Sequence, residues 1–142
     1  MTMINDRALA GIALVARIAL CSAFLISAVT KTLDFQGAVG EVGGLTGLEP
    51  APVFAVLVIL TQFGGSVLLI LGGRAAWAGA ALLGGFTLVA TVIAHDFWTK
   101  TGVEATRDLT TFFEHMGLIG GFVLAALLGN AGRAGDAHGR RF

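Results

Sequence analysis

The chain is poor in charge, in proline and in cysteine. Charged residues make up 13% of it, with nine basic and nine acidic residues, against about 25% charged residues in soluble domains. A net charge of zero gives no support for nucleic-acid binding. Two prolines among 21 glycines argue against a disordered low-complexity chain. The single cysteine, Cys21, cannot form an internal disulfide and leaves the redox compartment undetermined.

Several common catalytic motifs are also missing. Without a CxxC pair the chain is not a thiol–disulfide reductase. It has no phosphate-binding loop, dinucleotide fingerprint or nucleophile elbow. His95 and His115 suggest a haem, or a metal site with Glu114 and Asp96, but no HxxxH or ExxH spacing supports either. We therefore predict no metal site and no intrinsic cofactor, and leave open whether the chain is an enzyme.

Long apolar runs dominate instead. Hydrophobic residues make up 56% of the chain, and the mean hydropathy is +0.85. Four segments are each long enough to cross the roughly 30 Å hydrocarbon core at 1.5 Å per residue. They cover about residues 8–30, 52–72, 75–94 and 109–129. These segments predict an all-α integral membrane four-helix bundle of up-down topology over residues 1–130, followed by a polar cytoplasmic tail over 131–142.

The basic residues predict an orientation. Arg7, Arg74, Arg133, Arg140 and Arg141 fall on one side of the membrane, and Lys31, Lys100 and Arg107 on the other. Basic residues are in excess on the first of these sides, which is therefore predicted to be cytoplasmic. Both termini then lie in the cytoplasm of a multi-pass protein of the cell membrane, inner or plasma. Arg17 interrupts the first apolar run and no cleavage site follows it, which favours a retained span over a secretory signal.

Small residues recur at helical spacing within the spans. One column is Ala19, Ala23 and Ser27, a second is Ala76, Ala80 and Gly84, and a third is Gly117, Gly121, Ala125 and Gly129. Such columns let helix backbones approach closely in lipid, where no hydrophobic drive brings helices together. Together they predict a compact bundle.

Arg17 stands about nine residues into the first span, near the predicted midplane. A charge there costs on the order of 3 kcal/mol, so its side chain must face protein or a wet cavity. Glu114 shares the helix face of Gly121, which predicts that it points inward. Two partners for Arg17 remain open at this stage, Glu114 and Gln62.

A polar seam is predicted from Arg17 and Gln62 outward to Glu114, His115, His95 and Lys31. One interpretation is structural, since polar contacts between spans contribute about 0.6–2 kcal/mol each. The other is a binding pocket. His95-Asp96-Phe97-Trp98 combines a proton-exchanging ring with aromatic surface, although Trp98 also suits an interfacial anchor. A quinone head group fits such a pocket, and the apolar-faced segment 34–51 could cover it as a lid.

Several stretches resemble the DoxX family. They are residues 17–20, 27–35 and 47–50, Gln62-Phe63-Gly64-Gly65-Ser66-Val67-Leu68-Leu69-Ile70-Leu71-Gly72, residues 89–98, and Gly117-Leu118-Ile119-Gly120-Gly121. The resemblance implies a small four-span membrane protein linked to quinone-dependent electron transfer. Family members usually carry an acid at the position of Gln62 and often Lys-Asn at the positions of Glu114 and His115, so the acid and base have changed places here.

The sequence leaves three functions open. The first is an accessory subunit of a quinone-linked redox system, with Arg17, Lys31, Gln62, His95, Trp98, Glu114 and His115 around the quinone and a membrane or peripheral protein partner supplying electrons. The second is a non-enzymatic scaffold or assembly subunit. The third is a small-solute or proton pathway, for which a chain this short would need to form a homo-oligomer. Membrane lipid is a partner in each case, and nucleic acid in none.

Overall fold

The computed structural model describes the backbone of residues 6–138 and the side chains of residues 8–129. Its helices are α1 (Asp6–Leu33), α2 (Phe35–Thr46), α3 (Ala51–Leu71), α4 (Gly73–Ala94) and α5 (Gly102–His138), with a short 3-10 helix at Phe97–Thr99. No strand occurs in this part of the chain. Four helices, α1, α3, α4 and α5, are long and apolar enough to cross a membrane, which confirms the predicted all-α membrane bundle.

The four long helices alternate in direction. We call the end where α3 turns into α4 the Gly72 end, and the opposite end, which carries α2 and the 3-10 helix, the α2 end. The last span begins at Gly102, earlier than expected, and α5 continues as helix to His138. The side chains of Arg7, Arg133, Arg140 and Arg141, and residues 139–142 of the predicted tail, lie outside the described residues.

Helix α2 forms because its two ends are well capped. The Asp34 carboxylate accepts a hydrogen bond of 2.9 Å from the backbone N–H of Gly37, which satisfies one free donor of the first turn. Gly47 closes the helix in the left-handed conformation, at φ +65°. Ala38 and Val42 are buried and pack with Ala55 of α3. The amphipathic cover expected over residues 34–51 is therefore present.

Helices α3 and α4 touch most closely in the half of the hairpin near Gly72. An ideal Cβ atom on Gly79 would lie 2.5 Å from the backbone nitrogen of Leu69, and one on Gly65 would lie 2.9 Å from the Leu83 side chain. Only glycine permits such an approach between backbones. The buried Ala76, Ala80 and Gly84 lie on the same face of α4, which confirms that column of small residues.

The other two columns behave differently. In α1, Ala19 and Ala23 are exposed, and the buried face instead carries Cys21, Phe24 and Ala28. The predicted packing face of α1 was therefore wrong. In α5, Gly121 contacts Leu20, and Gly129 contacts the α3–α4 turn, but no atom lies within 4 Å of a Cβ placed on Gly117. The α5 column packs within the chain only in the half that lies towards the Gly72 end, from Gly121 to Gly129.

Candidate ligand cavity between α3 and α4

A cavity of about 390 Å³ lies at the α2 end, between α3 and α4 and beneath α2. That volume is within the range of small-molecule sites. Its walls are mainly apolar, and its exposed lining residues include Leu57 of α3 and Val89 and Ile93 of α4, on the outside of the bundle. The cavity is therefore open sideways, towards the lipid that surrounds the helices.

Four of the seven residues predicted around a ligand line this cavity: Lys31, Gln62, His95 and His115. They come from α1, α3, the end of α4, and α5. Phe54 and Phe86 supply aromatic surface in the same walls. Sequence reasoning did not identify these two rings as part of the site. Apolar side chains at helical spacing do not show which of them face a cavity.

Gln62 is the most unusual of the four. The residue is 5% exposed, and its Oε1 atom is buried with no hydrogen-bond partner among the described residues. The neighbouring Ser66 hydroxyl donates to the backbone oxygen of Gln62, not to the side chain. An unsatisfied buried acceptor costs about 1–3 kcal/mol. Oε1 of Gln62 therefore destabilises the fold, and no hydrogen bond within the described residues offsets that cost.

The two histidines lie against each other at the α2 end of the cavity. Their ring centroids are 5.3 Å apart at an interplanar angle of 65°. Nδ1 of His115 is 2.7 Å from the Thr91 hydroxyl, and Nδ1 of His95 is 3.4 Å from Oδ1 of Asp108. Each ring is thus held through the same nitrogen, which leaves Nε2 of each ring for other partners.

Asp108 is the buried acid of this region, and sequence reasoning missed it. It is 4% exposed, and it pairs with Lys100 as well as with His95. Lys100 also pairs with Asp96 at 2.9 Å. The hydrogen bonds from Lys100 to Asp108 and Asp96 raise the pKa of the lysine above its ordinary value. Asp108 stands seven residues before His115, a spacing that places both on one helix face.

Lys31 and Glu41 form an ion pair at the edge of the cavity. Their Nζ and Oε2 atoms are 2.7 Å apart, which ties α2 to the end of α1. Glu41 lines the cavity together with Val42, Leu45 and Thr46 of α2. Helix α2 is therefore one wall of the cavity. Its Glu41 carboxylate pairs with Lys31, the lysine predicted to contact a ligand.

Arg17 lies elsewhere, which corrects its predicted midplane position. Its guanidinium fills the space that a Cβ atom on Gly72 would take, and Nη1 is 3.4 Å from the Cβ position of Gly129. Its Nε donates to the Ala13 carbonyl at 3.1 Å. The charge thus sits at the carboxyl end of α3, where unpaired carbonyl groups favour a cation. It contacts neither Gln62 nor Glu114 among the described residues.

Glu114 and Trp98 are also outside the cavity walls. Glu114 is exposed on α5, so the prediction that it points inward was wrong. The helix face that it shares with Gly117 is not packed within the chain. Trp98 is 56% exposed and packs edge-on against Phe97 at 5.1 Å and Phe112 at 6.1 Å. That arrangement is typical of an aromatic anchor near a membrane surface.

Within the described residues, no group of three or more His, Cys, Asp or Glu side chains is arranged to hold a metal ion. The pairs of His95 with Asp108 and of His115 with Thr91 are hydrogen-bonded contacts. The side chains at the cavity can form hydrogen bonds, stack against a ring and exchange protons.

Comparison with known proteins agrees with this architecture. The family model described as DoxX matches residues 12–96, which is more than half of the chain and extends from α1 to the end of α4. The chain belongs to the DoxX family. A curated relative, the inner membrane protein YphA of Escherichia coli (strain K12), is 29% identical over 116 residues, covering 82% of this chain and 81% of the relative. No solved structure shows a significant match.

The DoxX match includes Lys31, Gln62 and His95, whereas Asp108 and His115 follow it on α5. Four apolar helices and the family together make this DoxX chain a multi-pass membrane protein. All the residues that line the cavity except His115 thus belong to the part of the chain that matches the family.

Proposed function

We propose that this chain is a small accessory subunit of a quinone-linked redox system in the inner or plasma membrane. In this proposal the cavity between α3 and α4 holds the quinone head group. The observation that carries the proposal is the buried carboxamide of Gln62, a residue of the mainly apolar cavity wall whose Oε1 has no hydrogen-bond partner among the described residues. The Gln62 carboxamide has an N–H group that can donate to a quinone carbonyl and an oxygen that can accept from a hydroxyl of the reduced quinol.

The shape of the cavity suits a flat ring with an apolar tail. Phe54 and Phe86 offer aromatic surface to the ring, and Gln62, His95 and His115 offer polar atoms to its oxygens. The sideways opening past Leu57 and Val89 lets the tail of a membrane-dissolved molecule remain in lipid. A bound quinone would supply the redox chemistry, and a partner protein would exchange electrons with it.

The orientation forms part of the same proposal. The balance of basic residues puts the termini and the Gly72 end at the cytoplasmic face. The cavity and the cluster of Asp96, Lys100 and Asp108 then lie near the outer face, so protons released at the cavity would leave on that side.

Replacing Gln62 with methionine tests the proposal against a structural role for this residue. Methionine keeps the length of the side chain and removes its polar atoms. We expect the bound quinone extracted from the protein, purified in mild detergent, to fall by about tenfold, the factor that corresponds to one good hydrogen bond. Stability should be unchanged or higher, because an unsatisfied buried acceptor has been removed.

Ser66→Ala is the matched control. Its hydroxyl is buried one turn away from Gln62 and already has a partner, at 2.6 Å. This variant should keep its quinone and lose a little stability. The opposite pattern, in which Gln62→Met keeps its quinone and unfolds more readily, would show that Gln62 holds helices together and would contradict the proposal.

A second candidate function, a scaffold or assembly subunit, is favoured by one face of α5. Glu114 is exposed within a membrane-spanning segment, where a charge is costly against lipid. No atom lies within 4 Å of a Cβ placed on Gly117 or Gly120. This face is suited to a partner helix that packs closely on the glycines and pairs a basic side chain with Glu114.

Gly120→Leu and Glu114→Gln test that face. Among the described residues, Glu114 makes no hydrogen bond or ion pair, and a Cβ atom on Gly120 would meet no atom within 4 Å, so both proteins should fold normally. If the face binds a partner, both variants should release a co-purifying membrane protein that wild type retains in mild detergent, while their quinone content stays the same. Retention of the partner by both variants would rule this face out as its binding surface.

A further inference from the structure

Arg17 carries a charge that the described part of the chain does not neutralise. Its Nε donates to the Ala13 carbonyl, and the carboxyl end of α3 beside it supplies only partial negative charge. Neither Nη atom has a hydrogen-bond partner among the described residues, and neither is buried away from its surroundings. A guanidinium has five N–H donors, so those on the two Nη atoms remain for a partner from outside.

The Gly72 end of the bundle holds no acid among the described side chains. Each described acid lies towards the α2 end, and the one furthest along α5, Glu114, is fifteen residues or about 22 Å from Gly129. On α1, Asp6 is seven residues, or about 10 Å, beyond Ala13. On α5, Asp136 is the same distance beyond Gly129, and the side chains of both aspartates lie outside the described residues. This end is thus positively charged around Arg17.

The start of α4 places this charge near the membrane surface. The apolar spans of α3 and α4 end and begin at the turn that contains Gly72. Arg74 is exposed directly after this turn, and Trp77 is 42% exposed one turn later. Tryptophan at the end of a span lies at the level of the lipid head groups. Since the Arg17 guanidinium lies beside Gly72, it is at the depth of the lipid phosphates.

An apolar cavity lies against the same arginine. It has a volume of about 250 Å³ and lies between α1 and α5, and Arg17 is the one polar side chain among its described lining residues. Leu124 and Leu128 line it and are 61% and 62% exposed, so the cavity is open to lipid. From Arg17 it extends to Leu20 and Gly121, in the direction of the midplane.

We infer that this cavity binds an anionic phospholipid, with its phosphate on the Arg17 guanidinium and one acyl chain between α1 and α5. A guanidinium can bind two phosphate oxygens at once. The phosphate supplies the negative charge that the described residues lack here, and the acyl chain fills the apolar cavity. A free anion would gain only the first of these contacts, and an uncharged lipid only the second. Basic pockets between spans on the cytoplasmic side are suited to anionic lipid head groups, which agrees with the proposed orientation.

The test compares two lipids with identical acyl chains by native mass spectrometry of the delipidated protein in mild detergent. One is phosphatidylglycerol, which is anionic. The other is phosphatidylethanolamine, whose ammonium group balances its phosphate. Wild type should bind phosphatidylglycerol about fivefold more tightly, the factor expected for one basic side chain at an anionic lipid. Arg17→Gln should bind the two lipids equally, whereas Arg17→Lys, which keeps the charge, should retain most of the preference.

Arg74→Gln is the matched control for charge. Arg74 is exposed at the same end of the bundle but does not line the cavity, so this variant should keep the lipid preference of wild type. Equal losses of preference in Arg17→Gln and Arg74→Gln would show general attraction to a basic surface. That result would overturn the inference.

Ala16→Leu tests the cavity without removing the cation, and it decides the question even if Arg17→Gln does not fold. Ala16 lines the cavity and is exposed, so a leucine there fills the cavity without crowding a buried residue. Both lipids should bind severalfold more weakly, because the acyl chain can no longer enter. Ala19→Leu is the matched control, since Ala19 is exposed on the same helix but outside the cavity wall, and it should bind both lipids as wild type does.

Three results would overturn the inference. The first is equal affinity of wild type for the two lipids. The second is the same lipid binding in Ala16→Leu as in Ala19→Leu, which would show that the cavity holds no acyl chain. The third is displacement of phosphatidylglycerol by an equal concentration of inorganic phosphate, which would show a site for a free anion.

Discussion

Gly79→Ala should destabilise this protein by about 2 kcal/mol, the middle of the range for overpacking a well-packed interior. The added Cβ atom would lie 2.5 Å from the Leu69 nitrogen and 2.6 Å from the Gly65 carbonyl oxygen. Both are backbone atoms of α3 and cannot move aside alone, so the two helices must separate. Thermal unfolding can be followed with a thiol-reactive dye, because Cys21 is fully buried and is the only cysteine.

Gly85→Ala is the control on the same helix. Gly85 is exposed, and no atom lies within 4 Å of its Cβ position. Alanine favours a helix over glycine by up to about 1 kcal/mol, so this variant should be neutral or slightly more stable. If both variants lost the same stability, close contact between α3 and α4 would not be the reason, and the account of the hairpin would be wrong.

Gly72→Ala is the second change for which we expect a large loss, again of about 2 kcal/mol or more. Gly72 has φ +76° and ψ −171°, a conformation that costs residues other than glycine about 1–3 kcal/mol. In addition, the new methyl group would enter the space held by the Arg17 guanidinium. Backbone strain and displacement of the arginine should therefore both contribute to the loss measured by thermal unfolding.

Two further variants separate these contributions. Gly47→Ala also forces a positive φ, of +65°, with no atom within 4 Å of the new Cβ. Its ψ of +10° is left-handed helical, so it should lose about 1–2 kcal/mol from the backbone alone, less than Gly72→Ala. The double variant Arg17→Ala/Gly72→Ala should lose less than the sum of the single changes, because it removes the clash. Strictly additive losses would show that Arg17 does not depend on Gly72.

Much of the fold could be predicted because a membrane restricts what a sequence can do. Backbone groups in lipid must be satisfied within a helix, so the apolar runs identified the four spans. The cap residue Asp34 and the following glycines mark the short α2. The column Ala76, Ala80 and Gly84 correctly predicted a buried face of α4, although Gly84 lies against Ile119 of α5. The close α3–α4 contact is made by Gly65 and Gly79, which the predicted columns did not include.

The rotation and depth of the polar side chains could not be predicted as well. Arg17 was assigned a depth by counting from the start of its apolar run. In the structure its guanidinium lies beside Gly72, so the first turns of α1 extend beyond the turn between α3 and α4. Side chains on a helix also point towards its N-terminus, which carries this guanidinium away from the midplane. Depth depends on how neighbouring helices end, which a single apolar run does not reveal.

The inward-facing acid was misidentified for a related reason. Starting the last span at residue 109 left Asp108 outside it and made Glu114 the only acid within it. In the structure α5 begins at Gly102, and Asp108 is the buried acid, with His95, Lys100 and Arg107 as partners. The glycines near Glu114 indicated a packing face, but a column of small residues does not tell whether the partner helix belongs to the same chain.

Labelling with a photoreactive quinone tests the location of the site most directly. The protein in native-like lipid is irradiated with an azido-quinone, and the labelled residues are identified by mass spectrometry, with unlabelled quinone as competitor. We predict competed labels on α3 between Phe54 and Gln62 and on α4 between Phe86 and His95. Competed labels in the second, smaller cavity, which lies between α1 and α5 and is lined by Arg17 and Gly121, would contradict a quinone site between α3 and α4. Labels that no competitor removes would contradict it as well.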